Sequence, residues 1–359
     1  MEKNKKTKKK LKLSLGVKRI LLLICSIFII GMSLGMFILY GPITKPRYTL
    51  ITTAMTTMSH QKYARWFFTE SYINKVLANN YLIEIGEDTD PDLINMEGYI
   101  KTKFENKYER DIFEGVKEDT IYKKIYVKGS GYDGYIIAVF KPEKVTLAYS
   151  NKLGTEGQRL DDMAKANDAL VAMNGGGFFD PTWAGNGGIA HGTVIKGGKI
   201  ISDYVDAQVG GGFIGITYEN KLILGRGTKQ DAIKAGIRDA IEFGPFLIIN
   251  GKASFAKGDG GWGVAPRSAI AQRADGIILF AVINGRDYKN LKPGIDLVQL
   301  TELLQNYGAV NAANLDGGTS SALVERDEDG NYELVNNPIA SGGQQKVLRR
   351  IPTAWIVTE

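Results

Sequence analysis

The sequence predicts an α+β fold: a β-rich domain with a mainly antiparallel sheet and few helices, preceded by one N-terminal transmembrane helix. From residue 121 onward, short β-branched and aromatic runs alternate with Gly and Asn turns, which is typical of strands. Only one stretch of that region, around residues 296–308, has a clear helical period. Glycine occupies 43 of 359 positions without a collagen-like period, which indicates many tight turns.

The N-terminal helix is predicted from an uncharged run, residues 20–40, that follows a basic tail. The first nineteen residues hold nine Lys and Arg side chains against Glu2 alone. About 20 apolar residues cross a ~30 Å hydrocarbon core, and a cationic flank favours the cytoplasmic side. A cleavable signal peptide is the alternative, but its apolar region would span about 7–15 residues and end in a small-x-small site. We therefore expect a cytoplasmic tail (1–19), a single-pass cell-membrane anchor (20–40) and an extracellular remainder.

The lone cysteine and the charge balance argue against a lipoprotein, a disulfide-stabilised domain and a nucleic-acid-binding protein. Cys25 lies inside the apolar run, where a lipoprotein acceptor is disfavoured because bulky Ile24 precedes it. The remainder has no cysteine for a disulfide, so a packed core must stabilise it. Without the nine cations and one acid of the tail, the totals of 45 and 39 leave 36 cations against 38 acids. The sequence therefore shows no basic patch for nucleic acid, and we expect no such partner.

Residues 41–120 are expected to form an extracellular helical stalk or linker. Apolar and aromatic residues spaced by three and four predict an amphipathic helix within residues 48–80. Three roles are open for its Tyr63 and Trp66: docking on the membrane interface, contact with a partner subunit, or packing on the main domain, which is the default. Residues 81–120 are charged and weakly patterned, which indicates a linker with short helical pieces.

The main domain is expected at residues 121–359. Single strands are predicted at residues 135–140, 145–149, 169–173, 277–283 and 309–315. Two hairpins are predicted, one joining 193–195 to 199–201 and the other joining 213–217 to 222–224, and the strand at 246–249 turns at Asn250-Gly251, the strongest short hairpin signal. The one helix places Leu297, Leu300, Leu304 and Tyr307 on one face, begins near Asp296 and ends at Gly308.

Three segments surround polar residues with small ones at the ends of predicted strands. They are Asn174-Gly175-Gly176-Gly177-Phe178-Phe179, Pro266-Arg267-Ser268-Ala269-Ile270 and Asn314-Leu315-Asp316-Gly317-Gly318-Thr319. A Gly pair beside a carboxylate lets the backbone approach a ligand and lets N–H groups converge on an anion. Each pattern alone is common in turns without function, but three in one domain, each with a different polar residue, indicate a site.

These segments, with Gly244-Pro245-Phe246-Leu247-Ile248-Ile249-Asn250-Gly251-Lys252 between the first two, occur in the order seen in the phosphodiester glycosidase domain family. The chain resembles that family over about residues 121–357, and Asn-Leu-Asp-Gly-Gly is the most specific motif. The family is typified by the lysosomal uncovering enzyme, which removes N-acetylglucosamine from a phosphodiester, and its bacterial members are often labelled exopolysaccharide biosynthesis proteins. Two departures are Thr319, where a third Gly is usual, and one extra Gly in the first motif. Both leave Asn174, Arg267 and Asp316 in place.

The resemblance implies cleavage of a sugar-1-phosphodiester through an oxocarbenium-like state. The departing phosphate monoester is a stable anion, so it needs positive charge more than a proton. Arg267 suits that role because its planar fork holds two phosphate oxygens; a structural ion pair is its alternative. Asp316 is the first choice for the carboxylate that activates water or attacks the sugar; a turn-capping Asp is its alternative.

Glu242 is the second carboxylate candidate, with a surface Glu as the alternative, and His191 is a candidate proton donor or a structural His. Asn174 either binds the substrate or only supports a left-handed turn. The full set expected to bind substrate or phosphate is Arg267, Asn174, Gly175, Gly176, Gly317, Gly318, Thr319, Asn284, Arg286 and Asp287. Within the loop of residues 258–263, Trp262 is a candidate for stacking on a sugar ring, and Asp259 lies beside it.

The sequence has no Cys pair, no His-x-x-x-His and no calcium loop, so neither a metal nor another cofactor is expected. The leading hypothesis is an extracellular hydrolase that cleaves glycosyl-1-phosphodiester bonds in a cell-surface polysaccharide. The alternative is a non-catalytic glycan-binding or assembly subunit of an exopolysaccharide machine, with polysaccharide-assembly partners. In either case the expected partners are a phosphate-containing glycan and the membrane.

Overall fold

The computed structural model describes residues 14–57, 60–96, 101–180, 185–204, 212–340 and 342–359. Most of the predicted basic tail lies outside these residues. The helices are α1 Leu15–Tyr40, α2 Lys45–Met55, α3 Gln61–Phe67, α4 Glu70–Leu77, α5 Lys107–Phe113, α6 Leu160–Ala166, α7 Lys229–Lys234 and α8 Leu297–Asn306.

Strands dominate the chain after residue 121, and they confirm the predicted α+β class. They are β1 Tyr81–Ile83, β2 Tyr122–Gly129, β3 Tyr132–Val139, β4 Val145–Tyr149, β5 Gln158–Arg159, β6 Val171–Asn174, β7 Phe178–Phe179, β8 Ile189–Ala190, β9 Gly192–Lys196, β10 Lys199–Tyr204, β11 Gly212–Thr217, β12 Leu222–Gly225, β13 Ile237–Phe243, β14 Phe246–Ile249, β15 Lys252–Ala253, β16 Phe255–Lys257, β17 Arg267–Arg273, β18 Ile278–Ile283, β19 Ala309–Asn314, β20 Leu323–Arg326, β21 Tyr332–Leu334, β22 Arg350–Ile351 and β23 Thr353–Val357.

Three antiparallel sheets build the domain. The largest has seven strands in the order β15-β14-β19-β17-β18-β3-β2, and two five-stranded sheets run β10-β9-β13-β11-β12 and β21-β20-β6-β23-β4. One apolar core lies where the three sheets face each other, with Phe280, Trp355 and Ile214 fully buried in it. A second core lies between the other face of the seven-stranded sheet and helices α5 and α8.

The register of β17 positions two of the sequence motifs side by side. Strand β17 pairs with β19, so that Ala269 lies opposite Asn314, and the chain beyond β19 continues beside the start of β17. Two backbone hydrogen bonds extend this contact: Leu315 N donates to Ser268 O at 2.8 Å, and Gly318 N donates to Pro266 O at 2.9 Å. Since strand neighbours project to opposite faces, Arg267 and Ser268 point to different sides of the sheet.

Helix α1 is long and apolar enough to cross a membrane. Ser14 caps its N-terminus, and its side chains are exposed along nearly the whole length. Its uncharged part, residues 20–40, rises about 30 Å, which matches a ~30 Å hydrocarbon core.

The predicted single helix in residues 48–80 is three short helices in the structure, and residues 58 and 59 lie outside the described part. Phe68 has extended backbone, and Thr69 caps a new helix by accepting a hydrogen bond from Tyr72 N. Helices α2, α3 and α4, which we call the helical unit, pack around Ile51, Ala64 and Ile73. An i, i+3, i+4 pattern is insensitive to such breaks, which explains why the sequence read as one helix.

Residues 81–120, read from sequence as a linker, make specific contacts with the sheets. Strand β1 pairs with β16. Thr89 Oγ1 donates to Leu224 O at 2.8 Å and also accepts a hydrogen bond from Leu224 N at 2.8 Å. Ile112 and Phe113 of α5 are buried in the second core. Weak periodicity concealed these contacts because each involves at most three residues of this segment.

Candidate active site

Two sheets meet at Asp316, which follows β19 of the seven-stranded sheet. The first Gly-rich segment follows β6 of a different sheet, and Asp316 N donates to Gly175 O at 3.2 Å across that boundary. The Arg267 and Asp316 segments already lie side by side through the β17–β19 pairing. The structure therefore brings together the three motifs that the sequence singled out.

Asn174 joins these motifs with its side chain, which is buried. Its Nδ2 donates to Asp316 O at 2.8 Å, and its Oδ1 accepts from Ser268 Oγ at 2.7 Å and from Ala322 N at 3.2 Å. The carboxamide is thus fully engaged with protein atoms. This geometry makes Asn174 a residue that fixes the backbone of Asp316.

We expect Asn174→Ala to destabilise the fold by about 2–4 kcal/mol, because a buried hydroxyl, N–H and carbonyl each lose a partner. Guanidinium-induced unfolding measures this. The matched control is Asn151→Ala in an exposed turn, where a change within about 0.5 kcal/mol is expected. Equal losses in the two variants would contradict the assigned role of Asn174.

The first Gly-rich segment is held by β23 and does not present a free anion site. Gly175 N donates to Thr353 O at 2.9 Å, and Gly176 N donates to Thr353 Oγ1 at 3.2 Å. A Cβ on Gly175 would lie 2.5 Å from that same hydroxyl oxygen, so only glycine fits. The N–H groups that were expected to converge on an anion therefore donate their hydrogen bonds to Thr353. The glycines allow β23 to pack closely against this segment.

Asp316 itself is partly exposed. Burial raises the pKa of its carboxyl group, while Ser320, Arg349, the N–H of Gly317 and His191 act in the opposite direction. The Ser320 hydroxyl lies beside the carboxylate although it makes no hydrogen bond of ordinary geometry. A carboxylate in this setting is desolvated, faces cations, and is open to a ligand, which are the conditions for acid–base or nucleophilic work.

Glu242, on β13, and His191, between β8 and β9, lie beside the same Gly-rich segment. Glu242 Oε2 accepts a hydrogen bond from Thr193 N at 2.8 Å. Gly192 has φ of +68°, and a Cβ there would lie 2.0 Å from that carboxylate oxygen. His191 N donates to Gly177 O at 3.0 Å, and the His191 ring is close enough to Asp316 to influence its charge. The second carboxylate and the histidine predicted from sequence thus belong to the same region as Asp316.

Arg267 is only 4% exposed and is committed to the backbone. Its Nη2 donates to the carbonyl oxygens of Trp262 and Gly263, the latter at 2.9 Å, and its guanidinium lies 5.8 Å from the Trp262 ring centroid. Burial lowers its pKa to about 10, and nearby Asp259 and Asp296 oppose that shift. A Cβ on Gly317 would lie 3.4 Å from its Nη1. Arg267 therefore packs against the Gly317 turn and fixes the loop of residues 258–264 through its hydrogen bonds to Trp262 and Gly263.

Arg286 reaches the Asp316 turn from the loop after β18. Its Nη1 donates to Thr319 Oγ1 at 2.8 Å and to Ile339 O at 3.3 Å. Gly318 has φ of +64°, and a Cβ there would lie 2.9 Å from Nη2 of Arg286. Burial lowers the pKa of Arg286 and neighbouring Arg349 adds to the effect, while Tyr288 and Asp316 oppose it. Arg286 itself has φ of +60°, a strained conformation of the kind that clusters at functional sites.

Arg349 is a member of this site that the sequence reasoning missed. Its Cζ lies 4.4 Å from the Phe178 ring centroid, and its Nη2 is 3.8 Å from Oδ2 of the buried Asp180. Its charge acts on both Asp316 and Arg286. The only signal was the Arg349-Arg350 pair before the last strand, far in sequence from every Gly-rich motif.

The other predicted residues hold loops around the site. Asn284 donates to Asp133 Oδ1 at 2.8 Å and accepts from Asn337 N at 2.9 Å. Asp287 caps the short turn that ends at Asn290. Trp262 packs on the second core and on Arg267, which leaves its ring little free surface for a sugar. Among the described residues, no three His, Cys, Asp or Glu side chains are grouped to hold a metal ion.

Comparison with known proteins places this geometry in a family. A family model described as phosphodiester glycosidase matches residues 167–358. The SPbeta prophage-derived uncharacterized protein YomE of Bacillus subtilis (strain 168) is 30% identical over 209 residues, which is 56% of this chain and 30% of that protein. The chain thus spans less than a third of the length of this relative.

A similar solved structure is the catalytic domain of zebrafish N-acetylglucosamine-1-phosphodiester alpha-N-acetylglucosaminidase, auto-inhibited by its pro-peptide. It aligns with a TM-score of 0.54 at 20% identity, over 68% of this chain and 85% of that domain. The likeness extends the shared fold upstream of the 167–358 match. The family model matches more than half of this chain, and the chain therefore belongs to the phosphodiester glycosidase family.

Proposed function

We propose that this protein hydrolyses glycosyl-1-phosphodiester bonds in a polysaccharide outside the cytoplasm, held at the membrane by α1. The observation that carries the proposal is the partly exposed Asp316 carboxylate with the guanidinium groups of Arg286 and Arg349 acting on it. The carboxylate can promote attack at the anomeric carbon, and the two cations can stabilise the departing phosphate.

The arginines serve the leaving group. As the bond between the anomeric carbon and the phosphate oxygen breaks, the phosphodiester becomes a phosphate monoester and gains negative charge. Charge-assisted hydrogen bonds from guanidinium groups strengthen as that charge develops. Arg349 is partly exposed, and its guanidinium lies beside the buried carboxylate of Asp180. Arg267 serves indirectly, because its guanidinium is committed to the loop of residues 258–264.

The carboxylates serve the sugar. Ionised Asp316 accepts the proton of the attacking water, whose oxygen forms the new bond to the anomeric carbon as the phosphate departs with the electron pair of the broken bond. Glu242 and His191 flank the same Gly-rich segment and form the second acid–base pair. Asn174 supports the reaction by fixing the backbone carbonyl of Asp316.

The anchor suggests where the substrate lies. Helix α1, behind its basic tail, would hold the catalytic domain on the extracellular side, where phosphate-linked wall or capsule polymers are assembled or trimmed. The zebrafish enzyme is named for an N-acetylglucosamine-1-phosphodiester, so N-acetylglucosamine is the first sugar to try.

The test is release of free reducing sugar from a panel of sugar-1-phosphodiesters by the full chain in detergent. Release from at least one member is expected, and it should be lost in a folded Asp316→Asn variant. Release that survives in that variant would remove Asp316 from the mechanism. No release, with the glycan retained in a binding assay, would favour the non-catalytic binding or assembly role.

A further inference from the structure

The last turn of α1 is fastened to the helical unit, so the end of the apolar span and the unit move together. Tyr40 Oη donates to Phe67 O at 2.7 Å, and the Tyr40 ring lies 5.9 Å from that of Phe68. Leu39 packs on the core of the unit, and Arg47 Nη1 donates to its carbonyl at 3.3 Å. Because Tyr40 ends α1, the residues beside it lie at the level where hydrocarbon gives way to headgroups.

Helix α3 leaves large aromatic side chains uncovered at this level. Trp66 is 66% exposed, Phe67 44% and Tyr63 40%, and the Tyr63 and Trp66 rings contact each other edge-on with centroids 5.1 Å apart. Ala64 and Phe68 of the same segment are buried in the unit, so the helix already has its packed side. We call residues 63, 66 and 67 the aromatic face. Rings with an apolar body and a polar edge are enriched where membrane meets water.

The charges around the aromatic face are mostly positive; the exception is Glu70, which pairs with Arg65 at 2.6 Å. Between Glu2 and Glu70 the sequence has no acidic residue, while Lys45, Arg47, Lys62 and Arg65 follow the apolar run. Lys62 is exposed and its Nζ lies 5.4 Å from the Tyr63 ring centroid. Cations with long aliphatic stems beside aromatic rings are the composition that anionic headgroups attract.

We propose that the aromatic face lies in the headgroup layer of the bilayer that α1 crosses, so that the helical unit docks on lipid. This rests on the proposed anchoring by α1. Helix α2 and its C-cap contact the loop of residues 258–264 in the candidate active site: Thr53 Oγ1 accepts a hydrogen bond from Val264 N at 3.0 Å, and Thr56 Oγ1 donates one to Trp262 O at 3.3 Å. Arg267 also donates a hydrogen bond to this loop, at Gly263 O. The helical unit therefore fixes the height and orientation of the catalytic domain above the bilayer, which a flexible linker would not do.

The test places the full chain in vesicles of phosphatidylcholine and phosphatidylglycerol whose acyl chains carry bromine near the headgroup or near the bilayer centre. Subtracting the fluorescence of Trp66→Phe from that of the wild type isolates Trp66, since the other three tryptophans are common to both. We expect a blue-shifted difference spectrum that shallow bromine quenches strongly and deep bromine weakly. Tyr218→Phe, at an exposed aromatic on the β11–β12 turn, is the matched control and should leave the quenching unchanged.

Cys25 reports separately on the anchor, because it is the only cysteine and lies within α1. Protection of Cys25 from a water-soluble thiol reagent, with Trp66 quenched by shallow bromine, supports the proposal. Protection of Cys25 with a Trp66 signal that bromine leaves untouched and aqueous iodide quenches would overturn the docking while keeping the anchor. Reactive Cys25 would overturn both. Sugar release measured in detergent is independent of all three outcomes, so the proposed chemistry is judged separately.

Discussion

Asp316→Asn is expected to lower kcat for sugar release by about 10³-fold, because an amide cannot take a proton from water as a carboxylate does. Asn matches Asp in shape, so the main-chain contacts with Gly175 and with the Asn174 side chain should persist. The measurement is initial-rate kinetics on the best substrate of the panel. Asp329→Asn, in an exposed turn, is the matched control and should keep wild-type activity. Loss of less than tenfold in folded Asp316→Asn would contradict the assignment.

The same substitution is expected to leave thermal stability unchanged or raised at neutral pH. Burial raises the pKa of Asp316 above its unfolded value of about 3.9. The folded state therefore binds this proton more tightly than the unfolded state, and stability is lost as pH rises from the unfolded pKa to the folded one. Asn carries no charge and escapes that loss. The advantage of the variant should vanish below the usual titration range of Asp, which melting curves at several pH values would show.

Arg349→Gln is expected to lower kcat/KM by about 10²-fold, since a charge-assisted contact with phosphate is replaced by a neutral one. Most of the loss should fall on kcat, because the phosphate gains charge only as the bond breaks. An aryl glycoside of the same sugar, whose leaving group has no phosphate, should be cleaved equally by variant and wild type if it is cleaved at all.

The neighbouring residue offers a matched control for that substitution. Arg350 pairs with Glu156 and donates to Gly157 O, away from Asp316. Arg350→Gln should therefore leave the kinetics near wild type. Equal losses in both variants, or equal losses on both substrates, would show that Arg349 acts through folding and not through phosphate.

About half of the strands could be predicted because their signals are local. The Asn250-Gly251 turn predicted the β14–β15 hairpin, and residues 145–149 match β4 residue for residue. Helix α8 carries its own start signal, since Asp296 and Gln299 form a capping box. Sheet order could not be predicted in the same way. Strand β6 lies between β20 and β23, which are roughly 150 and 180 residues later, and no periodic pattern encodes such pairings.

Part of the candidate site could be predicted because its residues also carry local signals. Asp316, Asn174 and Arg267 stood out because glycines beside them mark close backbone approach, and the structure brings their segments together. The depth of a side chain is a tertiary property, so the burial of Arg267 against Trp262 and Gly263 was not visible in sequence. Arg349 has no glycine or turn signal of its own, and only the fold brings it to Asp316.

The most direct test of the central claim locates the bond that breaks. The full chain would hydrolyse its sugar-1-phosphodiester in water enriched with oxygen-18, and mass spectrometry would assign the label to one product. Attack at the anomeric carbon predicts label in the anomeric hydroxyl of the released sugar and none in the phosphate monoester. Label in the phosphate would mean attack at phosphorus, which contradicts a glycosidase mechanism built on Asp316.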